Sequence, residues 1–117
     1  MKKTKMLKKN YEFKKVFLKG KYYRGEFIEA FIVKTNKKEN INRIGIAVSK
    51  KNSNSVKRNK IKRLIKENYR LQEEKIKTGY NIIFLWNKKK EPQYATFLNI
   101  KKDIEEIFKK ANIFLEA

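Results

Sequence analysis

Residues 54–77 carry a helical period too long to belong to a loop-rich or all-strand domain of this size. Ile61, Leu64, Ile65, Tyr69 and Leu71 gather on one side when residues advance by about 100° each. Such a helix runs about 36 Å, and its single apolar side must lie on something flat. Asn54 is the preferred N-cap from the polar run at 49–55, and Thr78-Gly79 closes the helix.

The flat partner has to come from the short apolar runs. Residues 27–33 are rich in aromatic and β-branched side chains and too short for a helix, so they read as a strand. Ile44, Ile46 and Val48 alternate with Gly45, Ala47 and Ser49, which predicts a second strand whose other face carries only small residues and admits a close neighbour. Residues 80–86 read as a buried strand, residues 20–25 as a candidate further strand, and residues 36–42 as polar turn material. Asn10 is positioned to cap a first helix in which Phe13, Val16 and Phe17 fall at i, i+3 and i+4 before the stop at Gly20. Residues 87–93 form a loop broken by Pro92. A last helix over 96–111 turns Phe97, Ile100, Ile104, Ile107, Phe108 and Ala111 inward, and Asp103, Glu105 and Glu106 read as its surface charges. The expected class is α+β, an α/β sandwich in which helices cover a small mixed sheet. One domain over 1–117 is expected, with residues 1–9 a candidate for disorder.

Charge then narrows the function. Lysine and arginine number 32 against 12 aspartate and glutamate, a formal net charge of +20. A compact chain with that charge repels itself unless a polyanion or counterions screen it, so nucleic acid is the leading partner. A hydrophobic share of 40% and an aromatic share of 13% describe a globular core and not a polybasic membrane tail. The basic segment 1–9 lacks the apolar centre of a signal peptide. The longest apolar run, residues 82–86, falls far short of the roughly 20 residues a membrane span needs. A soluble, cytoplasmic protein with no membrane partner is expected.

With no cysteine and no histidine, thiolate chemistry, disulfides and the commonest metal ligand are unavailable. The lone aspartate, Asp103, sits among lysines and does not suggest a two-metal nuclease centre. Ser49 and Lys50 are strand neighbours that point to opposite faces, and the four glycines lack the spacing of a phosphate loop. No catalytic or metal residues are assigned. What remains is a stripe. Asn59, Lys62, Arg63, Lys66 and Arg70 share one side of the long helix, interrupted in sign only by Glu67, whereas an ordinary solvated face interleaves acids at i, i+4. Arginine can grip phosphates bidentately and asparagine can reach sugars or bases. Phe13 and Phe17 beside the strand at 27–33 either pack the first helix on the sheet or stack on unpaired bases.

The run Gly45-Ile46-Ala47-Val48-Ser49-Lys50-Lys51, then Asn54, then Arg58-Asn59-Lys60-Ile61-Lys62-Arg63-Leu64-Ile65-Lys66-Glu67, closely resembles the signature of the bacterial ribonuclease P protein component. Lys60 and Lys66 stand where that family usually has arginine, keeping the charge and losing the fork. The resemblance implies an accessory subunit of an endoribonuclease whose catalysis resides in RNA, with Mg2+ serving the holoenzyme and held mainly by that RNA. It implies ribonuclease P RNA and precursor tRNA as partners and no small-molecule substrate. Carried over, the RNA-binding residues are Lys50, Lys51, Asn54, Arg58, Asn59, Lys60, Lys62, Arg63, Lys66 and Arg70. The cleft for the single-stranded 5′ leader would be lined by Phe13, Phe17, Phe27 and Phe31. A left-handed βαβ crossover around the basic helix is also implied, against the usual hand. The alternative is a ribosomal or other structural RNA-binding protein with no role in cleavage. A helix-turn-helix DNA binder would need a short helix just before Arg58, where the chain reads as strand and polar loop.

Overall fold

The computed structural model describes residues 1–35, 39–51 and 54–116, so Asn36, Asn52 and Ser53 of the expected turn and cap segments lie outside the described residues. The elements are β1 (Thr4–Met6), α1 (Asn10–Lys19), β2 (Lys21–Arg24), β3 (Ile28–Lys34), β4 (Asn42–Ala47), α2 (Ser55–Gln72), β5 (Tyr80–Trp86) and α3 (Phe97–Lys110). Short 3-10 turns occupy Glu73–Lys75 and Pro92–Tyr94.

The five strands form one mixed sheet in the order β1-β4-β5-β3-β2. β1–β4 and β4–β5 are parallel, and β3 pairs antiparallel with both β5 and β2. The pleat divides the side chains. Ile44, Ile82, Ile28, Ala30, Ile32, Phe84 and Trp86 face α2 and α3, where Ile61, Ile65, Tyr69, Ile100, Ile104, Ile107 and Phe108 complete the main core. Ile83 faces the other way and is covered by Val16 of α1 and by Leu7, with Phe13, Phe31, Val33 and Leu85 packed around them. The β4–α2–β5 unit is the crossover that spans the basic helix.

Residues 1–9, expected as a candidate for disorder, instead supply β1, which hydrogen-bonds along β4 from Thr4↔Asn42 to Met6↔Ile44. Buried polar groups fix it there. Thr4 Oγ1 meets Tyr69 Oη at 2.7 Å and donates to Glu73, while Glu73 also accepts from the Lys2 and Lys3 amides at 3.2 and 3.3 Å. Asn42 extends the same cluster, donating to the Lys77 carbonyl at 3.1 Å and accepting from the Tyr80 amide at 2.9 Å. Burial holds the Tyr69 hydroxyl in its protonated form by pushing its pKa up.

Three features differ from the sequence expectation. α2 ends at Gln72, with Gln72 buried and Leu71 49% exposed, because the stripe that steps 61, 65, 68, 69, 72 leaves position 71 on the solvent side. α1 starts one residue early, capped at Lys9, and Glu12 reaches back to accept from the Lys8 and Lys9 amides at 3.2 and 2.9 Å. Asp103 is buried and not a surface charge. It accepts from the Glu26, Phe27 and Ile28 amides at 3.2, 2.6 and 2.9 Å and so pins the β2–β3 connection to α3.

Candidate nucleic-acid interface

The small-residue face of β4 is explained by α1. A Cβ added to Gly45 would sit 2.4 Å from Phe13 Cε1, so only glycine lets that ring lie flat on the sheet. α1 covers Ile83 and leaves the ends of β2, β3 and β5 on this face open. There a groove of about 530 Å3 forms among Phe17, Tyr22, Glu29, Phe31, Leu85 and the 88–89 lysines. Its aromatic wall is continuous. Phe17 meets Phe31 edge-on at 5.0 Å between ring centroids, and Phe31 meets Tyr22 at 5.2 Å. Phe17 and Tyr22 remain about two-fifths exposed, so each ring keeps a surface to offer.

Of the four phenylalanines expected in the cleft, Phe17 and Phe31 line it and Phe13 is half-buried beside it over Gly45. Phe27 lies on the opposite face, and this corrects its assignment to the cleft. It stacks on Trp86 at 5.6 Å and 9°, with Lys90 Nζ 5.6 Å from its ring centre. The cause is local: β3 begins only at Ile28, and Asp103 holds the three amides before and at that point, so the strand alternation that aligns Glu29 and Phe31 does not extend back to Phe27. Tyr22 and Glu29 also line the groove, beyond the residues the sequence points to. The β2–β3 register places Tyr22 opposite Phe31 and Arg24 opposite Glu29, and strand parity alone would have put residues 29 and 31 together. The Tyr22 hydroxyl donates to Glu29 Oε2, a bond that raises the Tyr22 pKa and keeps the phenol protonated.

α2 presents the expected stripe. Asn59, Lys60, Lys62, Arg63, Lys66 and Arg70 are exposed and Arg58 is half-exposed, while Ile61, Ile65 and Tyr69 lie against the sheet. Arg70 is tied to Glu67, which lowers the Glu67 pKa and raises that of Arg70. Asn54 Oδ1 accepts from the Lys57 amide at 2.9 Å, so this side chain is engaged as the N-cap. Lys50 and Lys51 are exposed in the connecting loop, where the Lys51 amide bonds Ser49 Oγ at 3.1 Å. No acid sits in the first turn of α2, so its positive end adds to the lysines around it. Lys57 shares a depression with Lys88, Lys89 and Lys90, and these lysines join the start of α2 to the groove rim. In sequence these three adjacent lysines belong to the loop that Pro92 breaks, and only the fold brings them beside Lys57.

Among the described residues no three of His, Cys, Asp and Glu come together as ion ligands. Most carboxylates are already engaged: Glu39 with Arg43, Glu67 with Arg70, Glu74 with Lys3, Glu105 with Lys101, Glu106 with Lys110, and Glu12, Glu73 and Asp103 with backbone amides. Among the described residues no helix is long and apolar enough to cross a membrane.

Comparison with known proteins gives a consistent result. Residues 1–112 match the family model described as Ribonuclease P. The chain is 36% identical over 114 residues to the ribonuclease P protein component of Clostridium novyi, covering 97% of this chain and 99% of that protein. It is 41% identical over 111 residues to the corresponding protein of Clostridioides difficile, covering 94% of each. The solved structure of the Staphylococcus aureus RNase P protein superposes with a TM-score of 0.81 at 33% identity, covering 94% of this chain and 97% of that one.

Proposed function

This chain belongs to the ribonuclease P protein family, and from that premise we propose that it is the accessory protein of the tRNA-processing ribonucleoprotein, with the bond-breaking chemistry left to the RNA. It binds ribonuclease P RNA through the exposed α2 stripe and the loop lysines, and it binds the 5′ leader of precursor tRNA in the groove between α1 and the sheet. The observation that carries this reading is the continuity of Lys57 and Lys88–Lys90 between an aromatic groove and a basic helix. An aromatic wall suits unpaired bases, at about 1 to 3 kcal/mol per stacked base, and the lysines suit the phosphates on either side.

The mechanism is electrostatic and additive. Two polyanions must approach, and a +20 surface between them lowers their repulsion and the magnesium required to screen it. The described carboxylates of this chain are dispersed and largely paired, and in this reading the magnesium is held by the RNA. Tyr22, Phe17 and Phe31 bind and orient the leader, which adds affinity shared by substrates with different tRNA bodies. The reading places the protein in the cytoplasm with its RNA partners.

The test is precursor-tRNA cleavage by a bacterial ribonuclease P RNA at low magnesium, with and without this protein. Stimulation is expected, and its absence would sink the proposal. Phe17→Ala is expected to weaken binding of leader-bearing tRNA and to leave leaderless tRNA unchanged. Co-purification with ribosomal subunits and no stimulation would favour the structural RNA-binding alternative.

A further inference from the structure

The groove contains a group that a simple phosphate-and-stacking site would avoid. Glu29 is a carboxylate on the open face of β3, in a domain whose other features draw in a polyanion. Among the described residues it is not one half of a surface ion pair. Arg24 is opposite it in the β2–β3 register, yet the described salt bridges do not include that pair, and the one hydrogen bond described for Glu29 comes from the Tyr22 hydroxyl to Oε2. Among the described residues Oε1 has no protein donor, and Oε2 keeps a second lone pair. Phe17, Phe31 and Tyr22 stand around it, so a base held against those rings brings its edge to the carboxylate.

We propose that Glu29, oriented by Tyr22, reads a guanine of the single strand in this groove through the N1–H and N2–H2 donors of its Watson–Crick edge. This rests on the leader-binding reading above. A carboxylate has two parallel acceptors and no donor. Guanine alone among the four bases offers two adjacent donors on that edge. Adenine and cytosine offer one donor beside an acceptor, and uracil offers one donor flanked by two acceptors that the carboxylate repels. The same charge keeps the backbone turned outward, toward Lys88 and Lys89 on the rim. Glu29 is thus a specificity residue, and it disfavours pulling a phosphate into the place meant for a base.

The experiment uses holoenzyme assembled from this chain and a bacterial ribonuclease P RNA. Binding is measured for precursor tRNAs in which each leader position in turn carries guanine, inosine, adenine, cytosine or uracil, with a leaderless tRNA as reference. One position is expected to favour guanine over uracil by about tenfold or more. Inosine, which lacks the N2 amino group, should fall between them. Glu29→Gln replaces one acceptor with a donor and should abolish the guanine preference while leader-bearing tRNA still binds more tightly than leaderless. Tyr22→Phe should reduce the preference in part. Tighter binding of leader-bearing tRNA with no base preference at any position, or a guanine preference that survives Glu29→Gln, would overturn the inference and leave the leader reading intact. Equal binding of leader-bearing and leaderless tRNA would overturn both.

Discussion

A carboxylate facing a core is costly unless donors surround it, and Asp103 meets three backbone amides from one turn. Gly25 sits so close that an added Cβ would fall 2.5 Å from Asp103 Cγ, which makes acid and glycine one unit. Asp103→Ala should therefore cost on the order of 3 kcal/mol, read as a shift in the urea midpoint, because three donors lose their acceptor together. Gly45→Ala should cost about 1 to 3 kcal/mol by driving Phe13 off the sheet, and because α1 also carries Phe17, leader binding should weaken with it. Glu12 supplies a pH dependence. Its pKa is lowered first by the Lys9 amide and then by the Lys8 amide, so the folded state binds its proton less readily than the unfolded chain does. That contribution is present above the ordinary glutamate value of 4.5 and is lost as pH falls through the lower folded value. Denaturation curves of Glu12→Gln and the parent should differ at neutral pH and converge on acidification.

At the scale of elements, α2 works as a rod with one buried and one charged side. Arg63→Ala should weaken binding to ribonuclease P RNA and reduce the slope of log affinity against log salt by about 1, measured by filter binding over a salt series. Arg70→Ala should lose less, because its guanidinium is already shared with Glu67. This helix, the strand pattern and the last helix were legible because each repeats one period over many residues. β1 was not legible, since three residues give no period and their pairing with β4 depends on Glu73 and Tyr69, about seventy positions away. The polarity of Asp103 argues for the surface, but its position decides: it lies three residues after Ile100 and four before Ile107, on the buried stripe. The groove was half legible. Aromatic content and parity pointed to Phe17 and Phe31, but the place where β3 begins, set by the turn before it, decided against Phe27. Tyr22 could be placed only by knowing the hairpin register.

For the whole molecule, net charge bears on stability as well as on partners. At +20 the compact state carries strong self-repulsion, which added ions relieve over a screening distance of about 10 Å at 0.1 M. The thermal midpoint, followed by circular dichroism, should rise as sodium chloride increases toward about 0.5 M, the same change that loosens RNA. The sheet order has a temporal consequence too. β5 lies between β4 and β3 and is bonded to both, yet it is made after either of them and after the whole of α2. During translation the N-terminal half therefore waits for its central seam, and a ribosome-bound chain cannot settle until Trp86 has left the exit tunnel. Throughout that interval its lysines are free to meet cellular RNA before there is a groove to sort what they catch.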